Sequence, residues 1–293
     1  MTPLPPSRLA PWLKLIRPYT LTASLSPVLV AVAYAVRMGR VNWLDSLLCA
    51  IVAVSAQIAS NIVNEYFDYV NGSDSAESLG PNHPLSLGWL SKRQVLSALA
   101  VSLFATAAAG LLLAWLHGVA YLLVGLAVGL GLFAYSAGPW PLAKHGLGDL
   151  AVFVFYGLVP TFFTYYIQSA CSDRYIWMLS VAMGLISVCI LVVNNFRDYE
   201  EDRARKKRTT IVIVGRSFGP FLYVVCGVVA VALLAPFYSL LGLFALLPFV
   251  MFFADNFRLL LSCKGRELNR VLARTGVMVL LYALMTSALI LLS

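Results

Sequence analysis

Two short polar segments interrupt an otherwise apolar chain, and both carry side-chain oxygens at helical spacing. The first reads SNIVNEYFDYVNGSDSAES, residues 60–78. Asn64 and Asp68 are four apart in it, so on a helix both side chains lie on one face, with Asn61 a turn earlier. Gly72 permits a sharp change of direction, and Asp74 follows it. The second reads VVNNFRDYEEDRARKKRTT, residues 192–210. Asp198 and Asp202 repeat the four-residue spacing, with Asn194 one turn before them. Arg197, Arg203, Lys206, Lys207 and Arg208 surround these carboxylates.

Amide and carboxylate oxygens suit Mg²⁺, which takes hard oxygen ligands and completes its shell with water or substrate phosphates. Neighbouring cations can hold phosphate oxygens directly. Together the two segments read as a magnesium–diphosphate site. Asn64, Asp68, Asp198 and Asp202 are the candidate metal ligands, and Asp74 is a further catalytic candidate. Arg17, Lys92, Arg93, Arg197, Lys207 and Arg208 are candidate phosphate contacts. Asp149, in GLGD, reads as an N-terminal helix cap, with the handling of a second substrate as its alternative. Tyr135, His145 and Tyr156 are candidates to approach that substrate, whereas His83 and His117 read as loop residues. The plainer account of each segment is a solvated acidic loop and a basic orientation signal.

These residues must be positioned by helices that cross a bilayer. The chain has 293 residues, 60% hydrophobic and only 12% charged, far less charged than a soluble domain. A spanning helix needs about 20 mostly apolar residues. Nine runs qualify, near 20–36, 44–63, 94–115, 118–137, 149–168, 175–195, 218–236, 238–254 and 271–292, the seventh and eighth separated only by a tight connection near Phe237. The expectation is a single all-α membrane domain over residues 1–293. The N-terminal residues are not a secretory signal peptide, having no apolar core followed by a cleavage site.

Sorting Lys and Arg by alternate loops places 18 of the 21 on the N-terminal side. Only Arg37, Arg40 and Arg174 fall opposite. This bias puts the N-terminus in the cytoplasm, the C-terminus outside and both acidic segments on the cytoplasmic face. It also accounts for the net charge of +8, with anionic lipid head groups and not nucleic acid as the partner. The five cysteines are scattered without C-x-x-C spacing, which argues against a disulfide framework or zinc site.

N-x-x-x-D at Asn64 and Asp68, followed by R-D-x-x-x-D from Arg197 to Asp202, resembles the paired motifs of the UbiA superfamily of intramembrane aromatic prenyltransferases. The continuation Gly72-x-Asp74, the stretch YSAGPWPLAKHGLGDLAVFVFYG and NNFRDYEEDR-x-x-x-KRT are similar to the 1,4-dihydroxy-2-naphthoate polyprenyltransferase branch. The resemblance runs from Ile16-Arg17-Pro18 to Leu268-Asn269-Arg270. It implies about nine transmembrane helices around a central cavity capped by cytoplasmic loops, in a bacterial cytoplasmic membrane. It further implies Mg²⁺, a polyprenyl diphosphate whose tail lies in a lipid-facing groove, and loss of CO₂ from the naphthoate to give demethylmenaquinone. Three positions depart from the pattern: Glu65 where Asp is common, Lys206 where Gly is usual, and His83 where an Arg is expected near 82–83. Other aromatic acceptors remain open on these residues. So does an anion transporter, although its polar groups would sit near the bilayer midplane and not at one face. A lipid- or quinone-binding protein would have little need of four aligned Asn/Asp positions.

Overall fold

The computed structural model describes residues 7–70, 83–138 and 140–293, so Asp74 lies outside the described residues. All regular structure among them is helical. In chain order the helices are α1 (Ala10–Ile16), α2 (Pro18–Arg37), α3 (Trp43–Val70), α4 (Lys92–His117), α5 (Tyr121–Ser136), α6 (Gly148–Phe153) and α7 (Val159–Ser169). Then follow α8 (Arg174–Arg197), α9 (Tyr199–Ala204), α10 (Thr210–Val214), α11 (Phe218–Ala232), α12 (Leu240–Ser262) and α13 (Leu268–Leu292). Counting α6 and α7 as one span, eight described helices are long and apolar enough to cross a membrane. α5 corresponds to the remaining one of the nine apolar runs, near 118–137. It has 16 residues, about 24 Å of helix, shorter than a typical hydrocarbon core.

α2, α8, α11, α12 and α13 enclose the main core, in which Tyr34, Met183, Ile186, Tyr223 and Tyr282 are almost fully buried. α3, α4 and α5 pack beside this group, and their outer faces present Val101, Phe104, Leu111, Trp115, Leu123 and Leu130. That exposed apolar surface is what a lipid-facing wall requires.

Two breaks in helical regularity shape the site. Pro18 disfavours helical backbone in the residue before it, and Arg17 turns left-handed (φ 54°), separating the short α1 from α2. Between α6 and α7 the helix widens by one π turn over Val154–Leu158. Pro160 has no N–H for the Tyr156 carbonyl four residues back, and the Ser187 hydroxyl of α8 donates to that carbonyl at 3.3 Å. Here Gly157 and Gly184 let the two backbones touch, and a Cβ on Gly157 would collide with the Gly184 backbone. Gly157→Val is therefore expected to destabilise the bundle by about 1–3 kcal/mol, read as a lower thermal midpoint in detergent.

Candidate active site

The α3 sequence places two stripes side by side near its C-terminal end. Gln57, Asn61 and Glu65, spaced by four, form one stripe; Asn64 and Asp68 form the other. The first stripe grips the α1–α2 junction. Asn61 Nδ2 donates to the Ile16 carbonyl at 2.6 Å and to Thr20 Oγ1 at 2.9 Å, while Gln57 Nε2 donates to Asn61 Oδ1 at 2.9 Å. Asn61 is thus a buried structural residue and not a wall of the cavity, a correction to reading it on the Asn64 face. The second stripe faces a cavity of about 160 Å³ at the basic end of the bundle.

Arg17, Asn64, Asp68, Tyr135, Ser136, Lys144, Asp149, Asn194, Asn195, Lys207, Thr209 and Thr210 line that cavity. Six residues singled out from the sequence as site candidates therefore meet there: Arg17, Asn64, Asp68, Tyr135, Asp149 and Lys207. The Ser136 hydroxyl, at the end of α5, donates a short hydrogen bond to Asn64 Oδ1 and fixes the amide. The Lys207 ammonium lies 3.0 and 3.2 Å from the two Asp202 oxygens. Burial pushes the Asp202 carboxyl above its usual range; Lys207 opposes the shift, and the neighbouring charges of Asp198 and Glu201 add to it.

Asp149 is not the helix cap its sequence suggested. The N-cap position of α6 is Leu147, with no side-chain capping bond, and Asp149 lies within the first turn. Both of its carboxylate oxygens are buried, and among the described residues neither accepts a hydrogen bond of ordinary length, although the Thr210 hydroxyl is close by. A buried carboxylate in that state is destabilising unless a ligand supplies a donor or a cation.

Arg197 also departs from the phosphate-contact expectation. Its guanidinium is buried and engaged by protein: Nε and Nη2 donate to the two Asp198 oxygens at 2.7 Å each, Nη1 to Asn269 Oδ1 at 2.7 Å, and Nη2 to Asn194 Oδ1 at 2.9 Å. It joins the end of α8 to the start of α13. Lys92 is exposed, with its ammonium 5.1 Å from the Tyr69 ring centre, and Arg208 is exposed with its backbone N–H bonded to the Lys144 carbonyl at 3.0 Å. Neither lines the cavity.

Among the described residues no three His, Cys, Asp or Glu side chains form a metal cage. Asn64 and Asp68 face the cavity, whereas Asp198 and Asp202 stand beside it, each paired with a cation. The donor set still fits Mg²⁺, because that ion is commonly held by one or two carboxylates with phosphates and water filling the other positions.

Sequence reasoning passed over Ser136, Asn195, Thr209 and Thr210, all on the cavity wall. Their types are ordinary, and only their place in or beside the motifs, in YSAGPWPL, VVNNFRD and KKRTT, marked them. His83 lies outside the helices, as its sequence suggested, and its imidazole pairs with buried Glu65. Lys206, where the resemblance led one to expect Gly, has φ 58°, the left-handed conformation that favours glycine. Lys206→Gly is expected to stabilise the protein by about 1 kcal/mol, measured by thermal unfolding in detergent.

Fold and cavity together define a multi-pass helical membrane protein with a polar chamber at the basic end of the bundle. The chain belongs to the UbiA prenyltransferase family, whose model matches residues 24–281. It is 35% identical to the 1,4-dihydroxy-2-naphthoate octaprenyltransferase of Mycobacterium tuberculosis, over 94% of each chain. With the Escherichia coli protein of the same name it shares 31% identity, over 71% of this chain and 70% of that protein. Among solved structures, a UbiA homologue from Archaeoglobus fulgidus bound to DMAPP and Mg²⁺ superposes with a TM-score of 0.64 at 18% identity. That match covers 95% of this chain and 98% of the other, and it shows the shared fold.

Proposed function

We propose that this protein transfers a polyprenyl group from a prenyl diphosphate to 1,4-dihydroxy-2-naphthoate, releasing diphosphate and CO₂. The product is demethylmenaquinone in its reduced form. The observation that carries this reading is the cavity itself: Asn64 and Asp68 oxygens and the Arg17, Lys144 and Lys207 cations meet around one polar chamber at the end of an apolar bundle. The identity to relatives named as naphthoate octaprenyltransferases over most of the chain points to the same acceptor.

In this reading the C1–O bond of the prenyl diphosphate breaks, and its electron pair leaves with the diphosphate. The ring carbon bearing the carboxylate bonds to the allylic C1. The C–CO₂ bond then breaks, and its electrons restore the aromatic ring. Bound Mg²⁺ would neutralise charge developing on the leaving group. Asn64 and Asp68 would hold it from α3, with Asp198 and Asp202 from the α8–α9 segment and Asp74 as a further candidate. Lys207 and Arg17 would contact diphosphate oxygens directly. Asp149, on the cavity wall, would accept a hydrogen bond from an acceptor hydroxyl, and Tyr135 would border the same ring. The apolar bundle would exclude water, which would otherwise trap the allylic cation.

The Lys and Arg distribution supports a cytoplasmic N-terminus and a cytoplasm-facing site in a bacterial cytoplasmic membrane, with the prenyl tail in contact with membrane lipid. Purified protein given a prenyl diphosphate and Mg²⁺ should prenylate 1,4-dihydroxy-2-naphthoate in preference to 4-hydroxybenzoate or homogentisate. Preference for another acceptor would reject the naphthoate assignment while leaving the prenyl transfer.

A further inference from the structure

Arg17 occupies an unusual place, at a left-handed joint between two helices with its side chain on the cavity wall. A buried acidic group stands behind it. Glu65, next to Asn64 but on the neighbouring stripe of α3, is only 1% exposed. Its Oε1 accepts the Leu85 backbone N–H at 2.9 Å, and its Oε2 accepts from His83 Nδ1 at 2.7 Å. The same Oε2 lies 3.7 Å from the Arg17 guanidinium. Leu15, Ile62, Leu85, Leu90 and Val95, from the same segments, form a buried apolar cluster. The carboxylate thus joins the α1–α2 joint, α3 and the 83–90 segment at a single point.

We propose that Glu65 and His83 are positioning residues that hold the Arg17 guanidinium at the diphosphate end of the cavity. The proposal rests on the prenyl diphosphate reading above and deepens it. A guanidinium on a long side chain at a helix joint has many rotamers, and most would carry it into solvent. A buried carboxylate at fixed height on α3 limits that choice. The carboxylate in turn needs donors on its remaining lone pairs, because a buried charge left without them is strongly disfavoured. His83 and the Leu85 N–H supply them. His83 therefore acts on the ligand only through Glu65 and Arg17.

The test uses reach. Glu65→Asp shortens the acid by one methylene and pulls it from the imidazole, whereas His83→Arg extends the donor. Each single variant should weaken binding of Mg²⁺–inorganic diphosphate by about tenfold, and combining the two should restore it to within about twofold of wild type. The KM for prenyl diphosphate should follow the same pattern, with kcat and the KM for the acceptor unchanged. Calorimetry on full-length protein in detergent supplies the binding values, and thermal unfolding accompanies each variant. Unchanged diphosphate binding in both single variants would overturn the proposal. So would losses that simply multiply in the double variant, or losses that follow the unfolding midpoint and lower kcat equally. A wild type that binds no diphosphate would overturn it too. Diphosphate binding with the expected pattern but no prenylated product would sustain the positioning role and reject the functional reading instead.

Discussion

Asp68→Ala is expected to lower magnesium-dependent turnover by roughly 10²–10³-fold, equivalent to about 3–4 kcal/mol of transition-state stabilisation. Asp68 lines the cavity one helical turn beyond Asn64, and its stripe of α3 is separate from the stripe that braces the α1–α2 joint. Removing it should therefore fall on turnover far more than on the packing of the α1–α2 joint, and alanine is a better helix former than aspartate. The check is a pair of measurements on one preparation: kcat at saturating substrates and Mg²⁺, and the thermal midpoint. The account requires the first to collapse and the second to hold. Full activity in this variant would remove α3 from the metal–diphosphate site.

Arg197→Ala should act in the opposite manner, on stability first. Its guanidinium is the shared partner of Asp198, Asn194 and Asn269, so truncation strips three side chains at once and leaves Asp198 without its cation. Breaking a buried pair on one side costs about 3–5 kcal/mol. Arg197→Lys should recover little of this, because an ammonium cannot span the two Asp198 oxygens and Asn269 together. Thermal unfolding of both variants decides the matter. If both keep the wild-type midpoint and lose only affinity for the prenyl diphosphate, Arg197 is a phosphate contact and the fold does not depend on it.

The membrane architecture was readable because a 20-residue apolar run has few structural alternatives. Eight of the nine runs reappear as helices long enough to span, and only 121–136 is shorter than a typical span. The i, i+4 spacing of Asn64 and Asp68 also survived, since it depends on one helix alone. What sequence could not settle was the role of each charge once helices pack. Arg197 and Asp198 are adjacent in the chain, yet the guanidinium turns to Asn269 on α13, a contact across 72 residues that no local pattern encodes. His83 and Glu65 each stood out as departures from the family pattern, but their pairing was hidden for the same reason, since they lie 18 positions apart. Asp149 was misread because GLGD carries a capping residue type at a helix start, whereas the helix begins one residue earlier and turns the carboxylate into the cavity wall. Helical period tells which side chains share a face, but the neighbour facing them is a property of packing.

The central claim is that prenyl transfer and decarboxylation are one event at this cavity. The most direct measurement supplies carboxyl-labelled 1,4-dihydroxy-2-naphthoate, a prenyl diphosphate and Mg²⁺ to the purified protein, then counts labelled CO₂, diphosphate and prenylated naphthol from the same reaction. The account predicts equal amounts of all three, each abolished when Mg²⁺ is chelated. Prenylated product that retains the label, or labelled CO₂ released without diphosphate, would contradict it.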